Sequence, residues 1–304
     1  VLIKDTYLDE ETSLILSSLD QTLKKFWSTK ELRKYRTGDF SQARVLANSL
    51  AELEMFRYMI EATPRTAAEM HMLVGANLLP GILSSTLLAL RAITDNVVRE
   101  EIALKSPRAA ISSFNIVPAA DEADYVIVGE SLARRDDVLL SVMESLDPTM
   151  KLCKVTFKRS QLSPWNRDEL GLGVASQLVG HAEEALRMTI EYSRVRKAFD
   201  RPIGSFQAIK HRLVDDAISL ELVKSLVLKA TEDKSMTEAA LFLAMKKVPK
   251  IITDSIQTYG GMGFTDDVDL HLHLRRALTL TKIAEPMVGK ILDNFRMQHK
   301  YDIH

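Results

Sequence analysis

The chain carries a single cysteine, Cys153, in 304 residues. One thiol excludes an intrachain disulfide and any cysteine-rich metal site, and it fits a reducing, cytoplasmic setting. Apolar runs are short. None approaches the roughly 20 residues that span a bilayer, so no membrane association is expected. Net charge is −1, so no strong field points to nucleic acid or to an anionic surface. The first residues show no signal-peptide pattern, because Leu2 and Ile3 are followed at once by Lys4 and Asp5. Phosphate-loop and dinucleotide glycine motifs are missing. The histidines lack metal-ligand spacing: His271 and His273 stand two apart, which on a helix gives different faces, so no metal is expected. What is present is ordinary for a globular chain, 46% hydrophobic and 27% charged residues.

The order of patterns along the chain is helices, a small sheet, helices. Ile15, Leu16, Leu19, Leu23 and Phe26 recur at helical spacing, and Asp9 suits the start of that helix. Further helices are expected over 43–62 and 82–105, with Pro64 and Pro80 as punctuation. Between residues 110 and 158 the runs turn β-like: Tyr125–Val128, Val138–Val142, and Cys153–Phe157, where Cys153, Val155 and Phe157 alternate with Lys154 and Thr156. Asp147-Pro148-Thr149 is a turn. Val174, Leu178, Ala182, Ala185, Leu186 and Ile190 form a second helical stripe. Helices follow over 206–229, 237–259 with a kink at Pro249, 267–283, and to the end. The expected division is a helical region at 1–108, a reduced β domain at 109–160 and a helical bundle at 161–304.

Two segments are more specific. The first runs Tyr192-Ser193-Arg194-Val195-Arg196-Lys197-Ala198-Phe199, then Pro202-Ile203 and Phe206-Gln207. The second is Gln257-Thr258-Tyr259-Gly260-Gly261-Met262-Gly263-Phe264, with His271, His273 and Arg276 after it. Together they resemble the acyl-CoA dehydrogenase family, in its order and spacing. A weaker likeness is Ser145–Thr149 leading into the strand at 153–157. The resemblance implies a mainly α fold with a small β insert and a C-terminal four-helix bundle. It implies FAD, held by Arg196, Phe199, Gln207, Gln257 and Gly261. An arginine suits a pyrophosphate through paired charged hydrogen bonds, and a glycine admits close backbone approach. In the family the arginine at the position of Arg196 reaches the FAD of a neighbouring subunit. A homodimer or tetramer is therefore implied, or a second family subunit, with electron-transfer flavoprotein as acceptor.

The reaction so implied is α,β-dehydrogenation of an acyl-CoA thioester, in which a carboxylate removes the α proton. Ungapped counting puts the family's base at Ala284, beside Glu285, or at Leu170, beside Glu169. One residue on a helix swings a side chain by roughly 100°. Glu285, followed by Pro286, is the preferred base and Glu169 the second candidate. Other departures are Gly171 at an arginine position, Asp200 at a glycine position, and Ser112-Ser113-Phe114 where the family has Thr-Glu-x-x-x-Gly-Ser-Asp. They keep an alternative open: a non-catalytic or half-site partner subunit of a hetero-oligomeric enzyme.

Overall fold

The computed structural model describes residues 9–105, 108–289 and 291. Seven helices come first: α1 (Glu10–Phe26), α2 (Thr29–Arg36), α3 (Ser41–Glu52), α4 (Met55–Glu61), α5 (Pro64–Ala76), α6 (Gly81–Ala92) and α7 (Asn96–Lys105). The Asp9 carboxylate accepts from Thr12 N (2.7 Å) and caps α1, with Glu10 and Glu11 in its first turn and Lys24 and Lys25 in its last. Two expected helices are each divided. Residues 43–62 break at Glu54, whose left-handed backbone (φ 53) ends α3 and starts α4. Residues 82–105 break where Ile93 turns extended to pair with Trp165, and Asp95 then caps the next helix through Val97 N (2.9 Å). The break at Ile93 answers a tertiary contact that a single-segment pattern does not carry. Helices α2 and α5 lie in the region expected to be helical but were not placed individually.

The β insert holds two small sheets. In one, β1 (Ala109–Ser112), β3 (Tyr125–Val128), β4 (Ser131–Arg134) and β7 (Gln161–Leu162) lie in the order β1-β3-β4-β7, with β1 and β3 parallel. In the other, β2 (Ile116–Pro118), β5 (Val138–Met143) and β6 (Leu152–Phe157) lie in the order β2-β6-β5, all antiparallel. Cys153 and Val155 of β6 are buried while Lys154 and Thr156 are exposed, the alternation that the sequence predicts.

Among the described residues, four long helices follow: α8 (Arg167–Val195), α9 (Gln207–Glu232), α10 (Thr237–Tyr259) and α11 (Leu270–Ala284). Asn166 caps α8 by accepting from the Asp168 and Glu169 N–H groups. At the start of α8 and α10, Gly171 faces Thr237 and Leu241; at their ends Tyr192 stacks on Tyr259. The two therefore run parallel. Lys224 of α9 reaches Glu183 of α8 (3.0 Å), and α11 returns from His273 beside His181 to Met287 beside Gly171. This is an up-down-up-down bundle. Helix α10 continues through Pro249 and stops at Gly260 (φ 64). Of the stretch after 283 expected to be helical, Glu285–Met287 form a 3-10 turn, and residues 290 and 292–304 lie outside the described residues.

Two contacts bind these parts together. Helix α5 crosses α8 backbone to backbone: a Cβ at Gly75 would stand 2.1 Å from Gln177 O, and one at Gly180 would stand 1.9 Å from Met72 O. The second is a buried cation. Arg276, 1% exposed, ion-pairs with Asp147, itself fully buried. It also donates to Leu79 O (3.0 Å) and Thr149 Oγ1 (2.6 Å). Asp147 accepts further from Thr149 N (2.8 Å) and Thr149 Oγ1 (2.6 Å). One guanidinium thus joins the first helices, the β insert and the bundle.

Gly180→Ala is expected to force α5 and α8 apart and cost about 3 kcal/mol or more, read from the denaturant midpoint. Arg276→Ala should cost about 3–5 kcal/mol, because it leaves the Asp147 carboxylate buried and unpaired. Arg276→Ala combined with Asp147→Ala should cost less than the single change, and a double-mutant cycle measures that difference.

Candidate functional site

Helix α8 ends at Val195, and Arg196 follows as an extended cap whose N–H donates to the Tyr192 carbonyl (2.8 Å). The chain then makes a tight hairpin in which β8 (Lys197–Ala198) pairs with β9 (Arg201–Pro202). Phe199 and Asp200 form its turn, both left-handed (φ 51 and 61). A two-residue hairpin needs positive φ at both central positions; aspartate tolerates this, and a bulky aromatic adopts it at a cost. The outcome is a Phe199 side chain 90% exposed to solvent. Behind it, Phe206 meets the Phe199 ring edge-on and carries the Arg201 guanidinium 4.1 Å from its centroid.

Gln207 opens α9, whose first turn has no side-chain cap. Gln257 lies in the last turn of α10 and Gly261 just beyond. The stacked rings of Tyr192 and Tyr259, 4.0 Å apart, fasten these helix ends together, and Tyr259 Oη donates to Met188 O (3.0 Å). Arg196, Phe199, Gln207, Gln257 and Gly261 are all exposed, around this one end of the bundle. Arg194, Arg196, Lys197, Arg201 and Lys210 are exposed here too, with Asp200 as the acid among residues 194–210. A cationic surface beside a bare helix N-terminus suits an anionic diphosphate. An exposed aromatic on a short hairpin suits a flat ring system.

The two carboxylates lie elsewhere. Glu169 is in the first turn of α8, about 40 Å along that helix from Arg196 at 1.5 Å per residue. Its side chain is 10% exposed and is gripped by Arg91 Nε (3.1 Å) and Nη2 (2.9 Å). Arg91 Nη1 in turn donates to the carbonyls of Met59, Ile60 and Ala62, so this pair seals α4 and α6 against α8. Glu285 follows α11 at the same end, where Arg167 of α8 donates to Met287 O (2.7 Å). Its carboxylate is 43% exposed and bonded to Lys282 Nζ (2.6 Å). Their neighbours Leu170 and Ala284 are buried at 3% and 1%. Beside Gly171 the space is filled: an added Cβ would meet Met287 Cε and Thr237 Cγ2 at 3.3 Å.

Among the described residues three histidines are buried. His71 Nδ1 accepts from Gln177 Nε2 (3.3 Å), and His181 meets His273 (3.1 Å). Burial first, and then Arg91, pushes His71 down to about 3; burial and then Arg276 push His273 down to about 3. Both are therefore neutral at physiological pH. His271 faces outward to Asp266 (3.1 Å), on a different face from His273 as the i, i+2 spacing predicts. Among the described residues no three His, Cys, Asp or Glu side chains form a metal cluster, and no helix is long and apolar enough to cross a membrane. Sequence reasoning missed Arg91. Its signal was a lone cation in the otherwise uncharged run Gly81–Ala92, a place that requires a buried anion.

A model of the family described as acyl-CoA dehydrogenase, C-terminal domain, matches residues 170–284. Acyl-CoA dehydrogenase IpdE2 of Mycobacterium tuberculosis is 30% identical over 172 residues, 54% of this chain and 54% of that protein. The match thus spans about half the length of this curated relative. Among solved structures, the Tcur3481-Tcur3483 steroid ACAD superposes with a TM-score of 0.79 at 17% identity, covering 95% of this chain and 99% of that one. The ChsE4-ChsE5 complex from Mycobacterium tuberculosis gives a TM-score of 0.76 at 17% identity, over 99% of this chain and 100% of that one. Motifs, fold and relatives agree: residues 170–284 carry the C-terminal domain of the acyl-CoA dehydrogenase family, and the chain has the fold of these solved structures.

Proposed function

We propose that the chain is one half of an FAD-dependent acyl-CoA dehydrogenase whose site is completed by a neighbouring subunit. One observation carries this reading: the cofactor residues and the candidate bases stand at opposite ends of α8, about 40 Å apart, so they do not serve the same dinucleotide within one chain. The Arg196 end turns outward and would hold part of a neighbour's FAD. Arg196 would bind the diphosphate through paired hydrogen bonds, with Gln207, Gln257 and the open N-terminus of α9 as further donors. Phe199 would pack on the dinucleotide, and Gly261 would admit the backbone closely. FAD, once bound, accepts the hydride that leaves the β carbon of the thioester.

At the other end Glu285 is the group available to take the α proton. It is partly exposed, and Lys282 must release it first. Glu169 is occupied by Arg91 and has a structural role instead. The filled space at Gly171 favours a different chain as partner, one that supplies the acyl pocket and the flavin contacts for which this chain has only Ser112-Ser113-Phe114. The two similar solved structures carry paired chain names in the same sense, and electron-transfer flavoprotein would be the acceptor.

Arg196→Ala is expected to weaken FAD retention by the assembled enzyme about 10- to 100-fold, the worth of one charge-assisted bond, measured by equilibrium dialysis. Unchanged retention would remove Arg196 from the site. Asp200→Gly should tighten retention and raise stability by about 1 kcal/mol, since it removes both the acid and a left-handed side chain. For the partner, the chain alone and the chain co-expressed with a second family subunit are titrated anaerobically with acyl-CoA thioesters. Flavin bleaching only in the pair supports the half-site. Bleaching by the chain alone, lost in Glu285→Gln, supports a self-sufficient homo-oligomer with Glu285 as base.

A further inference from the structure

Helix α9 holds an acid that the proposed site does not use. Asp216 lies on its inner face, 5% exposed, and no donor reaches its Oδ2. Asp254 of α10 stands against it, and the nearest cation, Lys250, is already ion-paired with Asp254. Arg212, one turn back on α9, adds a partial counter-charge. The other helices packed on α9 present their charges elsewhere. Glu183 of α8 meets Lys224 two turns further on, and Arg65 of α5 acts on Glu232 at the far end. Two carboxylates thus share essentially one lysine, and the buried one lacks solvent.

We propose that Asp216 and Asp254 form a proton-dependent latch between α9 and α10, closed while the two carboxyls share a proton and loosened when both are ionised. A shared proton gives the buried oxygen a hydrogen bond and removes a like-charge contact. Burial first, and then Asp254, raises Asp216 to about 7, which places the change in the neutral range. The sign follows. The acid binds its proton more tightly folded than unfolded, so its contribution is full below the ordinary carboxylate range. That contribution is lost as pH rises through about 7. The outer face of α9 carries Val214, Ile218 and Leu222, each more than half exposed, and its first residue is Gln207. The latch stands on the helix packing alone; its effect on the shared FAD site rests on the proposed function.

Hydrogen exchange of the full chain tests the latch without FAD or partner. After correction for intrinsic exchange, protection of the 207–219 segment should fall about tenfold or more between about pH 5.5 and about pH 8, relative to 174–186 in α8. Asp216→Asn should make that ratio flat, because its amide supplies a permanent donor. Asp254→Asn should keep α9 protected at the higher pH by donating to Asp216. A flat ratio in the unmodified chain, or an undiminished fall in both variants, overturns the proposal. Neither result bears on FAD retention by Arg196.

Discussion

The ion pair of Arg276 with Asp147 is the contact on which the arrangement of the three parts depends. Its guanidinium has no water to turn to, so each donor must find a protein oxygen, and these come from Leu79, Asp147 and Thr149. Such a pair contributes little net stability against an apolar replacement of the same shape. Its value is in position. The β insert meets the bundle at the one place where the Asp147 turn can deliver a carboxylate and a hydroxyl together. Helix α8, held to α5 by the Gly75 and Gly180 contacts, then serves as the axis whose two ends carry different chemistry.

That axis explains why the candidate site is dispersed. A dinucleotide enzyme with both halves in one chain would bring its cations and its base to one cleft. Here the cations surround the end of α8 and α10 and face outward, while Glu169 and Glu285 sit about 40 Å away. The close packing of Gly171 against Met287 and Thr237 differs from an open substrate pocket. On the proposed reading, each end is completed by a second subunit.

Much of this was legible in the sequence, and the pattern of misses is physical. The long helices of the bundle follow from apolar periodicity, since a stripe such as Val174–Ile190 has a single helical solution. The stop at Gly260 follows from local turn chemistry, whereas the hairpin at 197–202 was not among the expected elements. The break at Ile93 did not follow, because it is set by a distant partner: Ile93 turns extended to pair with Trp165. The same holds for the side chains. Glu169 reads as an ordinary first-turn acid until Arg91, 78 residues earlier, is seen to hold it. Asp216 looks like one more polar helix residue until α10 brings Asp254 to it. Exposure of the five candidate cofactor residues was likewise invisible, being a property of how the helix ends meet.

The hairpin that carries Phe199 has a consequence for association. Its two strands are paired, its turn is left-handed at both positions, and the Ile203 N–H closes onto the Arg196 carbonyl (2.8 Å). The aromatic ring therefore projects from an arm already ordered in the free chain. Little conformational freedom remains there to be lost when a ligand or a second subunit arrives. The entropy of ordering is met during folding, and the encounter itself can be fast and nearly rigid.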